Sequence, residues 1–228
     1  MRRSADMSLW KRLVYLFLGT FLLSVGIVMT MKANLGYAPW DVFHRGTADT
    51  VGMTIGNVSI VASLVISIIV VLLGEKLGFG TIFNIFAIGI YIDLLLPLKL
   101  IPEMQSFIPG MVMLILGLFL CAFSSYLYIA SGFGAGPRDS LMVALERKTK
   151  LSIGLCRGII EVTVCLIGWI FGGPVGIGTV ISAFGIGICV QMVFAWVKFD
   201  ATSVKHETID ETVKNLKGFY KKSVGEDA

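Results

Sequence analysis

Six long apolar stretches, at residues 10–31, 54–73, 81–97, 110–130, 153–171 and 179–197, take up most of this 228-residue chain. Each approaches the roughly 20 residues a helix needs to cross a hydrocarbon core of about 30 Å. Backbone in lipid must satisfy its own hydrogen bonds, which leaves a helix bundle or a closed barrel. The stretches are about twice as long as a barrel strand. The sequence therefore predicts an all-α polytopic membrane protein with six full transmembrane helices. Only 15% of the residues are charged, against 56% hydrophobic, whereas soluble domains carry about 25% charged residues. The net charge of +4 is no nucleic-acid signal, because the cations gather at the ends and in short loops.

The chain also repeats itself. Displaced by 98 residues, Gly36-Tyr37-Ala38-Pro39-Trp40-Asp41 lies over Gly134-Ala135-Gly136-Pro137-Arg138-Asp139 without a gap. Gly78-Phe79-Gly80-Thr81 lies over Gly176-Ile177-Gly178-Thr179, Gly56 over Gly154, and Gly74 over Gly172. Apolar coincidences are common in such a chain, but Gly, Pro, Asp and Thr in register are not. This divides the chain into an N-terminal segment 1–12, a first membrane repeat 13–98, a linker 99–110, a second repeat 111–197 and a tail 198–228. Each repeat supplies three spans. Paired membrane repeats are a common transporter scaffold, with the site between the halves.

Between the first and second span of each repeat lies a segment too short to cross, at 39–52 and 137–148. Pro39 and Pro137 suit a first helical turn, and Asp41 and Asp139 favour the positive end of a helix dipole. We expect a re-entrant or interfacial half-helix in each copy. If these do not cross, the second repeat is inverted relative to the first. Both termini are then cytoplasmic, and of the 19 Lys and Arg only Lys32, Arg45 and Lys99 fall outside. A rival topology lets both short helices cross, with eight spans and parallel repeats, and keeps nearly the same charge bias. The shortness and polarity of the two segments favour the six-span inverted form. The first apolar run follows Arg2, Arg3, Lys11 and Arg12 but is too long for a signal peptide, so it reads as an uncleaved first span. The tail carries Ile209, Val213, Leu216 and Phe219 at helical spacing, which predicts an amphipathic helix or else a solvated tail.

Candidate binding residues follow from these motifs. Asp41 and Asp139 stand at the half-helix starts, where transporters hold substrates and coupling ions; the alternative role, capping their own helices, is compatible with that one. Glu161 lies mid-span, where a charge is costly unless paired. Arg157 sits one helical turn away and can pair with it. Their counterparts are Ser63 and Ser59, so this pair breaks the repeat. Asn84 is a further candidate, and its counterpart Ser182 reads as structural, as does Gln191; Asp93 stays open between the two. The Gly-x-Gly-Thr motifs lack the Lys of a phosphate loop, so Thr81 and Thr179 read as helix N-caps. His44 beside Arg45 reads as solvated or as a proton relay. The four cysteines, Cys121, Cys156, Cys165 and Cys189, lie in apolar runs without a CxxC and read as small packed hydrophobes. No metal-ligand, cofactor or catalytic constellation stands out, so the chain is expected not to be an enzyme.

The segment Lys32-Ala33-Asn34-Leu35-Gly36-Tyr37-Ala38-Pro39-Trp40-Asp41-Val42 resembles the first signature of the YczE-like bacterial membrane proteins, relatives of the YitT group. Arg157-Gly158-Ile159-Ile160-Glu161, followed by residues 168–179, resembles their second. The likeness covers residues 13–197. It implies a multi-pass protein of the bacterial inner membrane with this repeat architecture. It puts Asp41, Arg157 and Glu161 at family-pattern positions without assigning roles. Functions proposed for such proteins include export of small molecules such as antibiotics and accessory roles in making secreted metabolites. The leading expectation is a small-molecule secondary transporter, export favoured over import, in which one repeat rocks against the other. Lacking an ATP-binding motif, it would draw on an ion gradient or a partner ATPase. The second reading is a non-transporting scaffold or regulator of a biosynthetic complex, docked through the tail, and the third is a channel. The expected surroundings are the lipid bilayer, a small-molecule substrate and, in some assemblies, further copies of the chain.

Overall fold

The computed structural model describes residues 7–98, 100–134, 136–201, 204, 207, 208, 211 and 212. Among these there are eight helices and no strand. They are α1 (Leu9–Lys32), α2 (Pro39–Val51), α3 (Ile55–Leu72), α4 (Phe79–Leu95), α5 (Phe107–Ala130), α6 (Pro137–Thr149), α7 (Ile153–Ile170) and α8 (Ile177–Trp196). Each helix from α5 to α8 begins 98 residues after its counterpart from α1 to α4. The left-handed backbone positions pair in the same way: Asn34 with Gly132, Gly36 with Gly134, Gly52 with Lys150, and Gly74 with Gly172 all have positive φ.

Local chemistry sets the boundaries. The short helices α2 and α6 start at proline after an extended Ala38 or Gly136, and stop where Gly52 and Lys150 turn left-handed. Thr54 and Ser152 cap α3 and α7 by accepting from the N–H of Asn57 and Leu155. Thr81 and Thr179 act differently from expectation. The N-caps of α4 and α8 are Gly78 and Gly176, and the threonines sit three residues in. Their hydroxyls accept from the Gly78 and Gly176 N–H at 3.3 and 3.0 Å. A glycine has no side chain to cap with, so the threonine reaches back to close the turn.

Four helices, α1, α3, α5 and α8, are by themselves long and apolar enough to cross a membrane, and the α6–α7 pair, bent by 119°, would make a fifth. The sixth expected span, α4, is a 17-residue apolar helix. At 1.5 Å per residue it is about 26 Å long, just short of a full core. It ends at Leu95: Leu96 keeps helical dihedrals, but Pro97 has no N–H to carry the helical hydrogen-bond ladder further. The expected amphipathic tail helix falls on residues outside those described. Before it, Glu207 pairs with Arg12 at 2.7 Å, and Arg12 also donates to the Ser131 carbonyl at 2.7 Å.

Helices α1 and α5 form the axis of the bundle, with α4 flanking α1 and α8 flanking α5. At their crossing a Cβ added to Gly26 or Gly117 would lie 3.0 Å from the other's carbonyl oxygen, the close approach that small residues permit between membrane helices. The two halves are interleaved rather than side by side. Helix α2 packs on α7, and α6 packs on α3. Gly168 and Gly173 give α2 its seat, since a side chain on either would strike the backbone of Val42 or Phe43. The loops are exchanged as well. The Gly178 N–H donates to the Leu35 carbonyl at 2.7 Å, and the equivalent Gly80 N–H donates to Phe133 at 2.8 Å.

These contacts sort the loops into two ends. At one end Tyr37 N–H donates to the Pro174 carbonyl at 3.0 Å, and the Thr50 hydroxyl to Phe171 at 3.4 Å. Both ends of α2 thus lie beside the α7–α8 loop. At the other end Phe133 meets Gly80, and Arg147 meets Glu75 at 2.8 Å, so both ends of α6 lie beside the α3–α4 loop. Large apolar side chains such as Leu72, Ile68, Phe184 and Trp196 cover the outside, as expected of a surface facing lipid.

Candidate functional site

A cavity of about 220 Å³ lies at the centre of the bundle, and every one of the eight helices lines it. Most of its lining residues have their counterpart 98 positions away lining it too: Asp41 with Asp139, Trp40 with Arg138, Ser59 with Arg157, Ser63 with Glu161, Asn84 with Ser182. The cavity therefore straddles the relation between the two halves.

The two Pro-x-Asp starts meet here. The Arg138 guanidinium lies over the Trp40 ring at 4.4 Å, a cation–π contact worth more away from water. Arg138 also reaches His44 Nε2 at 3.4 Å, while His44 Nδ1 stands 3.6 Å from Asp41 Oδ1. His44 is 1% exposed and Asp41 4%. The expectation of a solvated His44 is overturned, because α2 turns this residue inward and leaves Arg45 to pair with Asp49 on the outside at 2.7 Å. On the opposite side the Tyr128 hydroxyl donates to Asp139 at 3.0 Å. Among the described residues no backbone N–H of α2 or α6 donates to Asp41 or Asp139. Asp139 takes its partner, Tyr128, from the cavity wall, whereas Asp41 is faced by His44, which does not line the cavity.

The intrahelical pair is present as spaced: Arg157 Nε donates to Glu161 Oε1 at 2.8 Å. The Arg157 side chain remains 38% exposed and Glu161 12%. Asn84 and Ser182 are buried, yet among the described residues Asn84 Oδ1 and Ser182 Oγ have no hydrogen-bond partner. Both line the cavity. A buried polar atom without a partner is costly, and two such atoms facing one cavity mark a place for something that can bond to them. Asp93, by contrast, is structural: it accepts from Thr54 Oγ1 at 2.5 Å and from the Gly56 N–H at 2.8 Å, tying α3 to α4.

A model of a family of unknown function, DUF6198, matches residues 10–195. The chain belongs to this family. It is 34% identical over 191 residues to an uncharacterized protein of Haemophilus influenzae, covering 82% of this chain and 87% of that one. It is 30% identical over 182 residues to the uncharacterized membrane protein YczE of Bacillus subtilis, covering 79% and 84%. It is 29% identical over 174 residues to the uncharacterized protein YyaS of the same organism, covering 74% and 85%. The resemblance to YczE-like proteins thus holds, and with several apolar helices the chain is a membrane protein. No solved structure matches it.

The structure brings Asp41, Asp139, Asn84, Arg157 and Glu161 to one cavity. Gly36, Gly134, Gly78, Gly80, Gly176 and Gly178 lie in the exchanged loop contacts, away from the cavity wall. Three further lining residues were not singled out from sequence: Arg138, Trp40 and Tyr128. Arg138 and Trp40 are the middle residues of the repeated Pro-x-Asp motif, and their difference in an otherwise matched motif was the available signal. Ser182, read as structural, stands beside them with a free hydroxyl oxygen.

Proposed function

We propose that this protein is a small-molecule secondary transporter of the bacterial inner membrane, working by alternating access around the central cavity. The observation that carries the reading is the convergence of two half-helix starts, from the two halves of the chain, on a cavity holding unpartnered polar atoms. Broken or short helices whose ends meet at a repeat interface are how many transporters build a site. The bound molecule would contact Asp41, Asp139, Arg138 and the Arg157–Glu161 pair. Export is the favoured direction, and an ion gradient the favoured drive.

Two inverted three-span repeats with cytoplasmic termini fit the contacts at the bundle ends. Each short helix begins and ends beside the same loop, which suits a re-entrant helix and six passes rather than eight. Cysteine replacing Arg45 is then expected to react with an impermeant thiol reagent from outside, and cysteine replacing Lys76 only from inside. Labelling of both from the same side counts against the inverted topology.

The interleaving changes what would move. Since α2 rides on α7 and α6 on α3, the rocking bodies are exchanged groups of helices rather than the two sequence halves. In proteoliposomes screened with a panel of small molecules, Asp41→Asn is expected to lower movement of the accepted substrate by about tenfold or more, the loss of a charge-assisted contact. Substrate movement unchanged in Asp41→Asn refutes the site. No movement of any compound favours the reading in which the protein scaffolds a biosynthetic complex.

A further inference from the structure

The two halves differ most where their second and third spans should meet. Helix α3 seals against α4: a side chain on Gly56 would strike the Gly89 carbonyl and the Asp93 carboxylate, and one on Gly89 would strike Ile60. The equivalent helices α7 and α8 barely touch. Gly154 and Gly187, the counterparts of Gly56 and Gly89, have open space where a Cβ would stand, and so does Gly158 beside them. The residues that allow close packing are present, but the seam is open. Both of its sides reach the cavity, through Arg157 and Glu161 on α7 and Ser182 on α8. Outward on the same helices stand Leu155, Ile159, Phe184 and Ile188, each more than half exposed.

We propose that the α7–α8 seam is a lateral portal from the bilayer into the cavity, and that the molecule entering it is a cationic amphiphile. The proposal rests on the transporter reading and adds an entry route and a substrate class. The charge of the cavity selects the head group. Its wall carries Asp41, Asp139 and Glu161 against Arg138 and Arg157, a surplus of one carboxylate. An uncompensated charge at membrane depth calls for a counter-charge, which an amine or quaternary ammonium head supplies. Asn84 Oδ1, an acceptor with no donor among the described residues, suits the N–H of an amine head or the polarised methyls of a quaternary one. The apolar flanks of α7 and α8 suit a hydrocarbon body that remains among lipid tails while the head enters. Closure would bring α7 onto α8 in the arrangement α3 and α4 already have.

The test is equilibrium binding of radiolabelled dodecyltrimethylammonium to the full chain in nanodiscs, with tetramethylammonium and dodecyl sulfate as comparisons. Binding is expected to strengthen with alkyl length, by up to about fourfold per methylene buried, and dodecyl sulfate is expected not to compete. Gly158→Trp, which fills the seam, is expected to weaken binding by about tenfold or more, comparable with the loss of about two methylene contacts. If that variant does not fold, as judged by its elution and thermal unfolding, Gly187→Leu fills the seam from the other side. Tetramethylammonium binding as tightly as the long-chain cation, or full binding by both seam variants, overturns the portal but leaves the central site standing. Competition by dodecyl sulfate overturns the cationic head. Particles containing two copies that separate on Gly158→Trp assign the seam to a homodimer interface and also overturn the portal. Absence of transport in the small-molecule panel, with dodecyltrimethylammonium still bound through the seam, instead separates failure of the transport reading from failure of this one.

Discussion

Replacing Arg157 alone by Ser is expected to damage the protein more than replacing Arg157 and Glu161 together. The guanidinium and the carboxylate lie 2.8 Å apart on one face of α7, and both line the central cavity. Removing one member leaves the other charge unpaired, which costs about 3–5 kcal/mol for a buried pair. Arg157 is more than a third exposed, so the lower part of that range applies. The double change Arg157→Ser with Glu161→Ser restores the residues of the first half, Ser59 and Ser63, both buried in α3. It is therefore expected to insert and unfold close to wild type. Substrate movement should nevertheless fall about tenfold or more in the double variant, because a charged contact at the cavity is gone. Thermal unfolding in detergent beside flux in proteoliposomes separates the two effects. A double variant that transports like wild type would remove the pair from the site.

The helices, and the starts of α2, α3, α6 and α7, were legible because each rests on local physics, whereas the caps of α4 and α8 were misplaced onto Thr81 and Thr179. Pro39 and Pro137 fix the first turn of a helix, and the apolar runs are too long to be strands. The backbone even repeats its left-handed residues at the sequence offset. The pairing of elements was not legible, for a reason built into repetition. A Gly-x-x-Pro-x-Asp loop that touches its own Gly-x-Gly-Thr motif and one that touches the other copy's require the same residues. Only the fold reveals the exchange, with Leu35 meeting Gly178 and Phe133 meeting Gly80. The same degeneracy hid the stacking of Arg138 on Trp40. His44 was misread because its sequence neighbour Arg45 is polar, although adjacent helical residues point about 100° apart. The charged pair at 157 and 161 was legible because a charge inside a span is rare and its spacing is one turn.

The exchange also predicts which glycines hold the bundle together. Gly36 and Gly52 both have positive φ, +99 and +71, so alanine at either adopts a backbone that costs roughly 1–2 kcal/mol. Their surroundings differ. A Cβ on Gly36 would run into the backbone of Gly176 and lie 2.9 Å from the Thr179 hydroxyl, whereas one on Gly52 meets nothing within 4 Å. Gly36→Ala must therefore push the Leu35 loop off the start of α8. That breaks the bond from Gly178 to Leu35 and loosens the cap made by Thr179. Adding a crowding cost of about 1–3 kcal/mol to the strain gives a loss of roughly 3 kcal/mol or more, against about 1–2 kcal/mol for Gly52→Ala. Gly134→Ala, which would strike Gly78, is expected to match Gly36→Ala, since it breaks the equivalent contact at the other end. Thermal unfolding of the three variants in one detergent decides the matter. Equal, small losses at all three positions would mean that the exchanged loops do not hold the halves together, and that the halves can separate without passing through the contacts seen here.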